Sequence, residues 1–252
     1  MRIIAISDYM GAKAYLEPLN KVIKEKEPEV LLFAGGITSG DEHIKEIEAA
    51  RQEERKPDRT KEVLFQERKK KREDFETFFD FIAKVDTQCL IIPGRTDCPE
   101  GLYEAVLSDI SNYQNIRHLH LKFAQIEGIL FSGCGGLIAD DNEEFFECRI
   151  DRDSVISKME NLRGFKQEKI LLFHTPPTLN REKPPVPGSV YVDELIELLR
   201  PKMLFYGMVS PENGMKIIDD CVTIDPGPLS EGNYVMVNTT TMNVDFKKLE
   251  LD

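Results

Sequence analysis

Two short apolar runs near the start of the chain, separated by one amphipathic stretch, constrain the fold more than any other feature of the sequence. Residues 2–7 and 29–34 are rich in aliphatic side chains, as buried strands are. Residues 12–26 between them have the apolar spacing of a helix. A strand, a helix and a second strand in this order form a βαβ unit, whose two strands are parallel. The chain therefore begins as an α/β protein.

Further apolar runs extend this sheet and predict a β-rich end. Strands are expected at 88–92 and 169–173, each followed at once by a loop that contains proline. Three runs joined by short turns predict consecutive antiparallel strands, at 117–123, 124–127 and 129–132. After a helix at 192–199, five more strands are predicted, at 203–206, 215–218, 222–224, 234–238 and 242–246. The chain of 252 residues is long enough for one large domain or two small ones.

Residues 44–84 differ from the rest because they are strongly helical in propensity and dense in charge, with Pro57 as the only helix breaker. We expect two helices with a break near Pro57, partly projecting from the body of the protein. The basic run at 68–72 is either an anion or partner site or a solvated helix face with i,i+4 ion pairs. This helical insertion is also a candidate surface for association with a second copy of the chain.

Composition excludes several classes of function. Apolar residues make up 41% of the chain and charged residues 31%, which is typical of a soluble globular protein. The 33 basic and 45 acidic residues leave a net charge of −12, which disfavours nonspecific binding to nucleic acid or to a membrane surface. No apolar run approaches the roughly 18 residues of a membrane span, and the N-terminus reads as a strand rather than a secretion signal. We therefore expect a cytoplasmic protein. The five scattered cysteines predict free thiols rather than a zinc site.

The residues that follow the predicted parallel strands are the first place to look for a site. Open α/β sheets bind ligands beyond the carboxyl ends of their parallel strands. Five such segments follow predicted strands, at 7–11, 34–36, 93–97, 173–177 and 206–210. Two glycine-rich turns, at 132–136 and 226–232, could also present backbone N–H groups to an anion.

The five segments resemble, in order, the motifs of the calcineurin-like metallophosphoesterase superfamily. That family carries D-x-H, G-D, G-N-H-D or G-N-H-E, a lone His and G-H-x-H at its strand ends. The best matching stretches here are LLFHTPP at 171–177 and IDPG at 224–227. The resemblance implies an α/β fold (α+β by some schemes): a four-layer αββα sandwich of two mixed β-sheets flanked by helices. It also implies a single domain over residues 1–252, with the charged helical insertion at 44–84.

Most of the family's metal ligands are replaced in this chain. Asp8 matches the first ligating Asp, His174 the lone ligating His, and Asp97 the final acid of the third motif. The remaining motif positions carry Met10, Gly36, Arg95, Thr96, Met208 and Ser210. One Asp and one His cannot hold two cations in a hydrolytic pair, so we expect no dinuclear centre. A single divalent cation (Mn, Mg or Zn), held by Asp8, His174 and oxygens from elsewhere, remains an alternative.

Four residues are therefore predicted to bind a ligand in a cleft at the strand ends: Asp8, Arg95, Asp97 and His174. Asp8 and His174 are also the candidate catalytic residues. A guanidinium binds phosphate through paired hydrogen bonds, and Arg95 is expected to fill the volume that the family gives to metal. It either binds a phosphate-bearing ligand or only neutralises Asp8.

Two functions follow from this set of residues. The first is a divergent phosphoesterase-fold protein that binds a phosphate-bearing small molecule and lacks the dinuclear hydrolytic centre. The alternative is a metal-dependent phosphoesterase that hydrolyses phosphodiesters or phosphomonoesters at a reduced or relocated metal site.

Overall fold

Two six-stranded sheets form the centre of the protein in the computed structural model, which describes residues 1–97, 114–139, 148–179, 189–208 and 214–251. The strands of the first sheet are β1 Arg2–Ile6, β2 Val30–Phe33, β3 Gln88–Ile91, β4 Ile116–His118, β13 Asn233–Asn238 and β14 Asn243–Lys248. Those of the second are β5 Phe123–Ile126, β6 Ile129–Cys134, β9 Lys169–Phe173, β10 Met203–Tyr206, β11 Gly214–Ile218 and β12 Cys221–Asp225. A small two-stranded sheet pairs β7 Leu137–Ile138 with β8 Arg149–Ile150.

Both large sheets are mixed, with a parallel centre. The first has the order β14–β13–β1–β2–β3–β4, and β1 to β4 are parallel while β13 runs antiparallel to both of its neighbours. The second has the order β11–β12–β10–β9–β6–β5, with antiparallel strands at its two edges. Central parallel strands are covered on both faces, and the four residues of β2, VLLF, are all buried accordingly.

Helices cover the outer face of each sheet, and this arrangement gives four layers. The helices are α1 Leu16–Lys26, α2 Asp41–Gln52, α3 Glu62–Lys84, α4 Arg152–Met159 and α5 Ser189–Leu199. Side chains of α1 and α3 pack on the outer face of the first sheet, and those of α4 and α5 on the outer face of the second. A third apolar cluster lies between the two sheets. The αββα sandwich implied by the family resemblance is therefore confirmed. Within the described residues, every helix is too short or too polar to cross a bilayer.

The chain after residue 114 departs from the sequence prediction at one strand. β4 does not pair with β5 but joins the first sheet, parallel to β3, so the prediction of three consecutive antiparallel strands was wrong for its first member. Asn115 explains the placement, because its side-chain amide donates hydrogen bonds to the carbonyls of Ile82 and Val85 and holds the chain against the end of α3.

The charged segment at 44–84 contains two helices separated by residues 53–61, which include Pro57. The second half of α3 inserts four apolar side chains into the core, Phe75, Phe78, Phe79 and Ile82. The outer part of the pair has only a small apolar cluster of its own, formed by Ile47 and Leu64. In the basic run at 68–72, four side chains are exposed and Lys71 is buried.

Candidate functional site

The carboxyl ends of β1, β2, β3, β9 and β10 meet at one edge of the sandwich, and the loops that follow them are hydrogen-bonded to each other. The backbone N–H of Asp8 donates to the carbonyl of Gly35 at 2.8 Å, and that of Met10 to Gly36 at 3.0 Å. The N–H of Gly36 in turn reaches the Asp97 carboxylate. The loops after the parallel strands β1, β2 and β3 are thus joined by hydrogen bonds into one surface, which we call the floor of the site.

Asp8 is buried at this floor, and its backbone is held at a φ of 49°, a conformation that is uncommon for a residue other than glycine. One carboxylate oxygen accepts a hydrogen bond from the N–H of Met208 at 3.2 Å. Burial raises the pKa of Asp8, while the nearby His174 opposes that rise. The charged form of Asp8 is therefore costly and has His174 as its main electrostatic support.

Gly36 makes room for the Asp8 carboxylate. A Cβ atom added to Gly36 would lie 2.9 Å from the Cα of Asp8 and closer still to its carboxylate oxygen, and the φ of Gly36 is +85°. The acidic side chain that the family has at this position would therefore overlap Asp8 in the present backbone.

His174 follows β9 and is also buried. Its Nδ1 lies 2.8 Å from the carbonyl oxygen of Ala34. Because a carbonyl only accepts, Nδ1 must carry the proton and donate it, which fixes the ring and leaves Nε2 as the nitrogen not used in this hydrogen bond. His174 lines a cavity at this edge of the sandwich.

Asp97 lies outside the cavity lining, although it was predicted to bind the ligand. It is fully buried, and its oxygens accept hydrogen bonds from the backbone N–H groups of Gly94, Gly36, Ile37 and Thr38. Its carboxylate oxygens are occupied by these amides and hold the loops together, so Asp97 supports the shape of the site from outside the cavity.

Arg95 is half-buried and lines the same cavity as Asp8. The charged groups that shift the pKa of Asp8 are His174, which lowers it, and Asp97, which raises it. Of these two groups, His174 is the one that opposes the rise of the Asp8 pKa caused by burial. The guanidinium of Arg95 adds a positive charge to the residues that line this cavity.

The strand-end cavity has a volume of about 260 Å³ and combines charged, polar and apolar walls. Three of the predicted residues, Asp8, Arg95 and His174, line it together. Its other lining residues come from five loops and from the start of α2: Met10, Ser39, Asp41, Ile44, Thr96, Met208, Pro228, Ser230 and Glu231. Sequence reasoning missed Ser39, Asp41 and Ile44. The glycine-rich turn at 226–232 was singled out, and it contributes Pro228, Ser230 and Glu231. Ser210 lies outside the described residues.

A further buried acid, Asp225, lies close enough to Asp8 for their charges to interact. One of its oxygens accepts from the N–H of Gly227 at 2.8 Å. The other is buried and has no hydrogen-bond partner among the residues that the structure describes. Burial raises the pKa of Asp225 to about 7, and the negative charge of Asp8 adds to the rise.

The residues present do not fit a dinuclear metal centre. Met10, Gly36 and Met208 offer no oxygen or nitrogen side-chain ligand, and the Thr96 hydroxyl already donates to the carbonyl of Thr38 at 2.6 Å. In the described ranges, no three His, Cys, Asp or Glu side chains are grouped as metal ligands would be. Two borderline-hard cations need several more donors than Asp8 and His174 supply.

Comparison with known proteins finds one family and several similar structures. The model of the family described as "Metallophosphoesterase, calcineurin superfamily" matches residues 1–249. One crystal structure is 26% identical with a TM-score of 0.86, over 99% of each chain. The TT1561 protein of Thermus thermophilus is 21% identical with a TM-score of 0.76, also over 99% of each chain. A dimetal phosphatase from Danio rerio is 8% identical with a TM-score of 0.59, over 94% of this chain and 91% of that one. The search among curated proteins found no match.

Proposed function

Because the chain belongs to the calcineurin superfamily of metallophosphoesterases but lacks most of the ligand positions of that family, we propose that its strand-end cavity binds a phosphate-bearing small molecule without two-metal hydrolysis. The observation that carries the proposal is that Arg95 and His174 line the same cavity as Asp8, at the edge where the family binds its metals. A guanidinium held in a cavity wall is suited to an anionic ligand, because it donates paired hydrogen bonds to phosphate oxygens.

The cavity offers hydrogen-bond donors of the kind that phosphate oxygens accept. Arg95 presents a guanidinium, and Nε2 of His174 donates when the ring is protonated. The hydroxyls of Ser39 and Ser230 line the same space. These groups come from four different loops, so a phosphate held among them is contacted from several directions.

Two exposed acids at the cavity narrow the class of ligand. Asp41 and Glu231 both line it and are exposed to solvent. Their charges repel a phosphate that carries two or more negative charges, and they repel a singly charged phosphodiester less. Apolar side chains of Ile44, Met10 and Met208 also line the cavity and offer contacts for the organic groups of a diester. We therefore propose a small phosphodiester as the preferred class.

The test is calorimetric titration with two probes, inorganic phosphate and dimethyl phosphate. The parent is expected to bind dimethyl phosphate more tightly than inorganic phosphate. Arg95→Met should weaken binding of both about tenfold or more, since hydrogen bonds to charged groups are worth about 1.5–3 kcal/mol. Arg117→Met is the matched control, because Arg117 is exposed on β4 and does not line the cavity.

Three results separate the possible outcomes. The proposal is supported if Arg117→Met binds the probes as tightly as the parent and Arg95→Met binds them more weakly. A parent that binds neither probe overturns it. Arg95→Met binding like the parent also overturns it, because the guanidinium would then not contact the anion. The alternative function, hydrolysis at a reduced or relocated metal site, predicts that the stability of the protein changes when metal is added.

A further inference from the structure

A lysine of the charged helical segment is buried directly behind the cavity wall. Lys71 on α3 is only 2% exposed, whereas its neighbours in the basic run at 68–72 face solvent. An ammonium group is costly to bury unless it is hydrogen-bonded or paired. Its Nζ donates to the backbone carbonyl of Thr96 at 2.7 Å. Helix α3 is otherwise rich in exposed charge, but the ammonium of Lys71 points inward to Thr96, a residue that lines the cavity.

The contact lies where two walls of the cavity are joined. Thr96 and Thr38 hold each other through both hydroxyls: Oγ1 of Thr96 donates to the carbonyl of Thr38 at 2.6 Å, and Oγ1 of Thr38 donates to that of Thr96 at 2.9 Å. A Cβ atom added to Gly40 would lie 2.6 Å from Cβ of Thr96 and 3.3 Å from Nζ of Lys71. The ammonium is therefore hydrogen-bonded to the loop after β3 and lies beside the loop before α2.

A second residue of α3 supports the same region. Glu67, one helical turn before Lys71, accepts hydrogen bonds from the backbone N–H groups of Glu42 at 2.9 Å and His43 at 3.1 Å. These amides belong to the first turn of α2, which also supplies Asp41 and Ile44 to the cavity lining. Residues four apart lie on one face of a helix, so Glu67 and Lys71 act on adjacent cavity walls from one side of α3.

We propose that Lys71 is a positioning residue of the ligand cavity: its buried ammonium fixes the Thr96 carbonyl and thereby the placement of Arg95, so that the charged helical segment is a working part of the site. This inference rests on the proposed function. Thr96 directly follows Arg95 in the chain. If Lys71 no longer donates to the Thr96 carbonyl, the backbone that carries the Arg95 side chain is held less firmly. Sites depend on such supporting contacts because they hold the contacting groups in place.

The test compares three substitutions of Lys71 with one matched control. Lys71→Met removes the charge at similar side-chain length, and Lys71→Arg keeps a cation. Lys71→Gln, which has a shorter and neutral hydrogen-bond donor, replaces the methionine variant if that variant does not fold. Glu46→Gln is the control, because Glu46 is similarly buried in the same segment. Its partners, Arg55, Lys61 and the N–H of Asp58, all lie within that segment, and it does not line the cavity.

Binding of dimethyl phosphate is measured under conditions in which circular dichroism shows that every variant is folded. Lys71→Met or Lys71→Gln should weaken binding about tenfold or more, as loss of a supporting partner does in other sites. Lys71→Arg should retain most of the affinity. Glu46→Gln should bind like the parent even if it melts lower, which separates positioning from a general loss of stability. Equal binding in the parent and in the neutral Lys71 variant overturns the inference while leaving the proposed function intact.

If the parent binds no anion, the role of Lys71 is tested by amide hydrogen exchange of the ligand-free parent and variants. The proposed function then fails, but the positioning effect still has a readout, because the N–H of Asp97 donates to the carbonyl of Gly94 in the loop that Lys71 holds. Exchange in residues 94–97 should be faster in the neutral Lys71 variant than in Glu46→Gln. Equal exchange in the two variants overturns the inference.

Discussion

Asp8 and Gly36 show how a single missing side chain changes the chemistry of the strand-end cavity. With only hydrogen at position 36, the Asp8 carboxylate occupies the space above that residue, where it is buried beside His174. The backbone of both residues has positive φ, so the floor is set by loop geometry as well as by side chains. Reintroducing an acid at position 36 would therefore displace Asp8 before it could add a ligand.

Asp225 leads to a prediction on pH dependence. Its pKa rises from an ordinary 3.8 to about 7 in the folded protein, mainly because it is buried. Between these two values the folded state holds more protons than the unfolded chain, so stability falls as pH rises through this window. Asp225→Asn should therefore raise the free energy of unfolding at pH 8, by at most about 4 kcal/mol, and change it little at pH 4. Thermal melts at both pH values measure the difference.

The control for this prediction is Asp245→Asn. Asp245 is an exposed acid on β14, and its substitution should leave the melting temperature nearly unchanged at both pH values. If Asp225→Asn lowers the melting temperature at pH 8, or shifts it equally at pH 4 and pH 8, the carboxyl of Asp225 is ionised without penalty and the prediction is wrong.

At the scale of helices and strands, the sequence was most informative where periodicity and burial coincide. The parallel strands were found because central strands are apolar on both faces. Helix α4 was missed because only Val155 and Met159 of its eight residues are buried, which leaves a weak apolar period. The N-cap at Asp151, whose side chain accepts from the N–H of Ser154, was the signal that could have found it.

Helix α2 depends on α3 in a way that local sequence does not show. Its N-cap residue, Gly40, has no side chain to satisfy the first N–H groups, and Glu67 of α3 accepts from two of them instead. Glu67 also contacts the buried ring of His43. Glu67→Ala should therefore lower the free energy of unfolding by about 0.5–2 kcal/mol, the range found for lost helix caps. Denaturant unfolding measures the loss.

Glu62→Ala serves as the comparison for Glu67→Ala, since Glu62 lies on the same helix but is exposed and accepts a hydrogen bond from the side chain of Gln66. It should change stability far less. A Glu67→Ala variant as stable as Glu62→Ala would mean that water satisfies the first turn of α2 equally well, and that α2 does not need α3 for its start.

For the molecule as a whole, the sequence located the site but not its support. Asp8, Arg95 and His174 were predicted because they follow parallel strands, and the topology brings them to one cavity. The same reasoning did not reveal the supporting roles of Lys71 and Asp97. A lysine in a basic run is expected to face solvent, whereas Lys71 is buried and donates a hydrogen bond to the loop at 94–97. Asp97 follows a strand like the others, but its oxygens turn to backbone amides.

The replaced ligands lead to a prediction on metal linkage that separates the two candidate functions. A cation that binds only the folded protein stabilises it, by about 2.7 kcal/mol at 100 times its Kd. For a chain of this length, such a gain raises Tm by roughly 5–10 °C. Asp8 and His174 alone are too few to hold two cations. Under the proposed function Arg95 and not a cation supplies the positive charge at the site, so Mn²⁺, Mg²⁺ or Zn²⁺ added to chelator-treated protein should leave Tm almost unchanged. Elemental analysis of protein purified without metal resins should find fewer than two equivalents per chain.

Asp8→Asn makes the metal titration decisive. If the parent melts several degrees higher with Mn²⁺ and Asp8→Asn does not, a cation binds at the strand ends through Asp8, and the metal-dependent phosphoesterase becomes the better description. If both proteins respond equally, the cation binds elsewhere and leaves the cavity free for an anion. If neither responds while the parent still binds dimethyl phosphate, Arg95 and not a metal ion supplies the positive charge at the site. The last of these outcomes is the one we expect, because a guanidinium lines the cavity together with Met10 and Met208, whose side chains offer no oxygen or nitrogen ligand.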